Sequence, residues 1–261
     1  MTYTAGSTIL AADYNGFVND TVGANVNAIW NSAYGQTALA TVSATNTVTA
    51  TQWASLVNTI TNMAGHQPTT ITARTAPVTG NTISILSALN TDITNCYTNR
   101  YNAYAQGSQY TGWTGTNSAT AGAGSSGGAA WTITITNTVT WANSTAATNF
   151  FNSGGTVKIQ VGKSSTGTTG DPAWNDLAGT LCGSIFISKG GVTQTIAATS
   201  YTGTTKSGGT GTPTTLATTT GWDSLSAGAA GTIVYKQFSA TAPYTADYIQ
   251  HTIAKGASST T

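Results

Sequence analysis

Apolar and polar positions alternate most cleanly between Ala129 and Val161. Trp131, Ile133, Ile135, Val139 and Trp141 fall on odd positions, and Thr132, Thr134, Thr136, Thr138 and Thr140 on even ones. Successive side chains of a strand point to opposite faces, so this spacing predicts a strand with one apolar and one hydroxyl face. Only Asn137 interrupts the apolar row. Ile135 is therefore expected inside a sheet and Thr134 outside it. Asn149-Phe150-Phe151-Asn152-Ser153-Gly154-Gly155 reads as a buried edge running into a turn, and Val157, Ile159 and Val161 as a second strand. Half-buried strands of this kind usually belong to antiparallel sheets.

Upstream the period changes to three and four. Tyr14, Phe17, Val18, Val22, Val26, Ile29 and Trp30 predict a helical entry over 8–33, with Asp13 near its start. Trp53, Leu56, Val57, Ile60 and Met63 predict a helix over 49–65, capped by Thr49 or Thr51 and stopped by Gly65 and Pro68. Leu86, Leu89, Ile93, Cys96, Tyr97 and Arg100 predict a third over 81–105. Its other face is Ser, Thr and Asn, which are poor helix formers, so it depends on packing. Stripes this thin leave a lone three-helix unit partly wet and predict subunit contacts. Downstream, apolar runs at 181–189, 192–199, 231–238 and 244–255 predict strands, separated by Gly- and Pro-bearing turns. The Thr- and Gly-rich stretch 202–220 is expected to be a long exposed loop.

The fold class expected is α+β: a helical attachment and oligomerisation region over 1–105, a Gly/Ser/Ala-rich linker over 106–128, and an antiparallel β-sandwich or jelly-roll-like domain over 129–261. Composition sharpens this. Charged residues make up 6% of the chain, and all seven acids are Asp, against about 25% charged in ordinary proteins. Hydroxyls and amides take the place of ions on the surface. Seven Trp and eleven Tyr with a net charge of +1 argue against disorder of the whole chain. The cations are scattered singly, which excludes a nucleic-acid partner on electrostatic grounds. No apolar run reaches the length of a membrane span, and the first residues lack a signal peptide's pattern, so synthesis in a cytoplasm is expected. Cys96 and Cys182 fall in different regions and read as two small buried residues, with a disulfide as the less favoured alternative in a reducing compartment.

The chemistry-bearing residues form no catalytic, cofactor-binding or metal-ligating set, and no enzyme is expected. His66 and His251 lie in different regions, without partners at ligand spacing. Asp171 and Asp176 flank Pro172-Ala173-Trp174-Asn175. The pair suits glycoside hydrolysis only weakly, Asp171, Asn175 and Asp176 suit calcium only weakly, and an Asx turn is the simpler reading. Gly162-Lys163-Ser164-Ser165-Thr166-Gly167 lacks the spacing of a phosphate loop. Trp174, Trp222, Tyr201 and Tyr244 are candidates for a sugar-stacking platform, with core packing as the alternative.

Ile9-Leu10-Ala11-Ala12-Asp13-Tyr14-Asn15, Val26-Asn27-Ala28-Ile29-Trp30, Tyr34-Gly35-Gln36, Thr49-Ala50-Thr51-Gln52-Trp53 with His66-Gln67, and Asn149 to Gly155 resemble stretches of virion structural proteins of tailed bacteriophages, especially cyanobacterial and other aquatic phages. The resemblance runs from residue 3 to about 255. It departs at Asn31-Ser32-Ala33, where a longer Gly-rich turn often follows the Trp. It implies a tail, neck or fibre component, located in the virion and attached through its helical region. The partners it implies are other copies, with a trimer favoured, other virion proteins and, as an alternative role, a host-surface glycan.

Overall fold

The computed structural model of the chain describes residues 10–19, 23–81, 86–104, 132–163, 171–228 and 230–256. The expected linker 106–128, Trp131, residues 164–167 and the tail beyond 256 lie outside these. The class is α+β, with helices and antiparallel sheets. Helices α1 (Ala11–Asn19), α2 (Val26–Trp30), α3 (Ala50–His66) and α4 (Leu86–Thr98) come first. They are followed by α5 (Ser144–Asn152), β1 (Val157–Gln160) and α6 (Asp171–Asp176), which continues into a π-helical turn at Leu177–Leu181. The rest is β2 (Ser184–Ile187), β3 (Thr193–Ile196), β4 (Thr199–Thr202), β5 (Thr204–Ser207), β6 (Thr215–Leu216), β7 (Thr232–Phe238) and β8 (Tyr248–Ile253). Among the described residues no helix is long and apolar enough to cross a membrane.

The helical part closes its own core. Trp53, Leu56, Ile60 and Met63 of α3 meet Tyr14, Phe17 and Val18 of α1, Val26 and Ile29 of α2, and Leu89, Ile93 and Cys96 of α4. Tyr14 meets the Trp53 ring edge-on at 5.6 Å between centroids. Thr49 is the α3 cap, in a reciprocal box with Gln52. The predicted 8–33 helix is split, because Asn25 starts a new helix by accepting from the Ala28 N–H. The expectation that thin stripes would stay wet is corrected: Leu89 and Ile93 are buried inside one chain. Side-chain amides do part of this work. Asn15 exchanges two hydrogen bonds with the backbone of Val42, and Asn27 two with Leu39, clipping the loop before α3 onto α1 and α2.

The stretch with the cleanest alternation is not a strand. Residues 132–141 form no ladder, and Ile133 and Ile135 are 36% and 48% exposed. A strand exists only when a neighbour takes its backbone groups, and among the described residues no strand pairs with this segment. The Phe150-Phe151 pair is also misread as a strand edge: it closes helix α5. Asn143 caps that helix, accepting from the Ala146 N–H at 2.8 Å. At its end the Gly154 and Gly155 N–H groups return to Phe151 and Phe150 O, a Schellman closure with Gly154 at φ +88°. A β carbon on Gly154 would also come within 2.8 Å of the Ala103 methyl.

β1, β2 and β5 form one antiparallel sheet and β6, β7 and β8 another, while β3 and β4 are a separate hairpin. The two three-stranded sheets and the 177–181 turn share one core of Leu177, Leu181, Ile185, Ile187, Val234 and Tyr235. Residues 202–220 are not an exposed loop. They contain β5 and β6, and Thr204 is buried with its hydroxyl on Thr220 O. Thr is a strand former, and Gly203 (φ +53°) supplies the corner between β4 and β5. Asp171-Pro172 opens α6, since Pro in a first helical turn lacks only an N–H with no partner there anyway; the expected Asx turn rests on the Asp171 side chain, which lies outside the described residues.

Contacts join the helical and sheet parts directly. Ala103 bridges Ile196, and Ala103, Phe186, Ile196 and Tyr201 form a small core of their own. Gln194 is fully buried. Its Nε2 donates to Phe151 O at 2.6 Å and Tyr101 O at 3.2 Å, and its Oε1 accepts from Lys189 N at 3.0 Å. Gln194→Ala should cost about 1–3 kcal/mol for each buried group left without a partner, lowering the melting temperature by several degrees. Gln160→Ala, on the exposed face of β1, should stay within about 0.5 kcal/mol in the same thermal melts.

The β3–β4 turn carries a local strain. Ala197 and Ala198 take φ +47° and +63°, where a side chain costs roughly 1–2 kcal/mol per residue. Two-residue hairpins with both φ positive favour Asn-Gly. Ala197→Asn with Ala198→Gly should therefore raise stability by about 1 kcal/mol or more in urea titration.

Candidate functional site

The described residues that converge most densely are aromatic. Phe151 of α5 stacks on Trp222 at 5.4 Å and 18°, Phe150 meets Phe151 edge-on at 5.0 Å, and Trp141 lies 5.6 Å from both Phe rings and 6.5 Å from Trp222. Lys255 Nζ sits 4.2 Å from the Trp222 centroid. Beside them Asp223 takes Lys189 Nζ at 3.1 Å and the Gly190 N–H at 2.6 Å. The cluster has no nucleophile and base within reach of each other. It holds α5, the turn at 221–225 and the end of the extended segment 132–141 in one place.

The residues singled out in the sequence do not assemble. His66 ends α3, with Nε2 3.0 Å from Ser153 O and its ring edge-on to Tyr34 at 5.0 Å. It therefore joins helical core to α5 as a structural contact. His251 lies on β8, stacked on its cross-strand partner Tyr235 at 5.3 Å. Asp176 ends the short helix α6, whereas the side chain of Asp171 lies outside the described residues. The four sugar-platform candidates have separate neighbours. Trp222 is engaged by Phe151 and Lys255, Tyr201 is buried against Phe186, and Trp174 packs on the shared sheet core. Tyr244 sits in the β7–β8 connection, where its backbone pairs with Thr241 and Asp247.

Two surface features went unread in the sequence. One is a row formed across β7 and β8: Tyr248, 45% exposed, packs on Phe238 at 5.4 Å, and Lys236 Nζ lies 3.8 Å from the Tyr248 centroid. Register alone brings these residues together, through the pairs Phe238–Tyr248 and Lys236–Gln250. The other is a cleft of about 380 Å³ between the start of α3 and residues 77–81, lined by Val48, Thr49, Trp53, Pro77 and Val78 among others. No titratable side chain lines it.

The thiols of Cys96 and Cys182 are free and buried. Burial, with the Asp92 carboxylate adding to it, pushes Cys96 up to about 11. Burial also raises Cys182. Asp92 itself faces Arg74 in a buried ion pair and accepts from the Thr72 N–H. Searches against protein-family models, curated proteins and solved structures found no match for this chain.

Burial depresses the His251 imidazole from its ordinary value near 6.5 to about 4. The folded chain thus holds this ring neutral where the unfolded chain protonates it. Its contribution to stability should be complete above about pH 6.5 and decline as pH falls toward 4. Urea unfolding across that window should show a steeper loss for the wild type than for His251→Gln. In native buffer a thiol reagent should react with neither cysteine until the chain unfolds.

Proposed function

We propose that this chain is a structural subunit of a phage virion, an oligomeric tail, neck or fibre component attached by its helical N-terminal region. The observation that carries this reading is the exposed segment 132–141. It has a strand's alternating side chains without a sheet, and its Ile133 and Ile135 are left in water. Surface of that kind is characteristic of chains that complete their packing in an assembly. The resemblance to virion structural proteins, the low charge and the amide-based packing support the same reading. In it, the helices with their closed core form a rigid attachment unit. The two sheets that share the Leu177–Tyr235 core act as a sandwich-like unit, and a homotrimer is the favoured state.

The test has two arms. Mass spectrometry and gold-labelled antibody on purified particles should place the protein on the virion. Sedimentation of the purified full-length chain at micromolar concentration should show a trimer or another closed multimer. Absence from particles would refute the location, and a clean monomer would refute the oligomeric role.

A second reading, recognition of a host-surface glycan, is favoured by one observation. Tyr248 presents an exposed ring steadied by Phe238 and Lys236, the kind of surface on which a sugar stacks. A glycan array with the full-length protein should give a hit that Tyr248→Ala weakens at least tenfold while its melting temperature holds. Equal binding by Tyr248→Ala would remove that face from consideration.

A further inference from the structure

We propose, resting on the glycan reading above, that the outward face of β7 and β8 takes a sugar bearing a carboxylate. Tyr248 is the ring on which the sugar lies, and Lys236 is the cation that meets its acid group. Alternation along the two strands decides which side chains share this face. Tyr235 and Gln237 of β7 are buried, and Ile249 and Ile253 of β8 pack against the sheet core. Lys236 and Phe238 of β7 and Tyr248, Gln250 and Thr252 of β8 therefore point the other way. Phe238 pairs with Tyr248 and Lys236 with Gln250, so an aromatic pair, a cation and an amide stand side by side.

Three observations choose an acidic sugar. The first is the state of the cation. Lys236 Nζ lies 3.8 Å from the Tyr248 centroid and 4.8 Å from the Phe238 centroid, held between the two rings. The rings place the ammonium without neutralising it, and its N–H groups still suit an anionic acceptor. No described carboxylate pairs with it: Asp92 takes Arg74, Asp223 takes Lys189, and Asp247 bonds through its backbone to Ser239 and Tyr244. The second is the ring. Tyr248 is 45% exposed, and among the described residues only Phe238 and Lys236 lie against it. Its apolar surface is open to the C–H face of a sugar. The third is the amide. Gln250 Nε2 donates to Thr252 Oγ1 at 3.2 Å, and Gln250 Oε1 is left to accept from a sugar hydroxyl. The row from Tyr248 to Thr252 is about 13 Å long, enough for more than one sugar ring.

Other exposed rings lack this combination. Tyr104 is 70% exposed, but no described ring or cation lies against it. Trp222 has a cation in Lys255, yet its ring is stacked on Phe151. Charge also separates a sugar from a nucleic acid. A nucleic acid carries a phosphate at every residue and needs several cations, whereas Lys236 is the one Lys or Arg in β6, β7 and β8.

The experiment measures binding of the full-length protein to polygalacturonate, alginate and hyaluronate, each beside the same polymer with its carboxylates reduced to alcohols. At least one acidic polymer should bind about tenfold more tightly than its reduced form, because the reduced form lacks the ionic hydrogen bond. Lys236→Gln should erase that preference and Lys236→Arg should keep it. Lys158→Gln, which removes the same charge from an exposed site on β1, should leave it unchanged. Tyr248→Ala should weaken acidic and reduced forms alike, with the melting temperature of every variant close to the wild type's. A reduced polymer held as tightly as its acid would overturn the choice of an acidic sugar and leave glycan recognition standing. So would a preference that survives Lys236→Gln, or array hits on neutral glycans alone. Silence of every polymer and of the array would overturn both readings. Equal binding of single-stranded DNA or polyglutamate, lost in Lys236→Gln, would mean that any polyanion serves and would overturn the sugar class.

Discussion

The side-chain amide of Gln194 is the interaction on which the joining of helices to sheets depends. It occupies the buried face of β3, and it answers two carbonyls and one N–H at once, from Phe151, Tyr101 and Lys189. Those groups belong to the end of α5, the chain after α4 and the loop after β2. The Tyr101 carbonyl and the Lys189 N–H lie outside any helix or ladder, whereas Phe151 O also takes the Gly154 N–H at the end of α5. Without the amide, the backbone at this junction would be buried with its hydrogen-bonding groups unmet, at a free-energy cost comparable to that of a lost buried network. Asn102 extends the junction by accepting from the Thr195 N–H, and Ala103 continues it as a one-residue bridge to β3.

The same device recurs because the chain is poor in ions. Asn15 and Asn27 fix the irregular stretch 36–48 to α1 and α2 by paired bonds that imitate a β-bridge. Gln67 donates to the Tyr34 hydroxyl, which in turn donates to Arg100 O. Burial raises the Tyr34 phenol and keeps it a neutral donor. A neutral amide supplies donor and acceptor together, and it is cheaper to bury than a charge. Where ions are used inside, they are paired, as in Arg74 with Asp92. A chain built this way has little dependence on salt for its internal contacts, because few of them are between charges.

The division of apolar surface bears on assembly. The helical core and the shared sheet core are each satisfied within one chain. Among the described residues, what is left over is spread over Leu10, Val78 and Tyr104 in the helical part, Ile133 and Ile135 before the aromatic cluster, and one row of the β7–β8 face at Ile233 and Tyr248. In the proposed assembly, folding and association would therefore use different residues. An individual chain can be complete in its cores before it meets a neighbour.

Sequence by itself determined the helices over 50–66 and 86–98, because a 3.6-residue stripe, joined in the first by a Thr49-x-x-Gln52 cap, carries its own local explanation. It likewise placed β1, β2, β3, β7 and β8, where alternation or a short apolar run is bounded by Gly or Pro. The α+β class, the burial of Cys96 and Cys182 and a turn at the end of Asn149 to Gly155 were within its reach. The meaning of that last stretch was not. Phe-Phe-Asn-Ser-Gly-Gly closes a helix as readily as it ends a strand, and the Asn143 cap was the signal that separates them. Tertiary structure alone decided which alternating stretches became strands. A helix satisfies its backbone from within, whereas a strand needs a partner that the local sequence does not name. Thr204 to Ser207, a weak apolar pattern, became β5 because β2 offers an edge to it. Residues 132–141, with the strongest pattern in the chain, pair with no strand among the described residues and form no ladder.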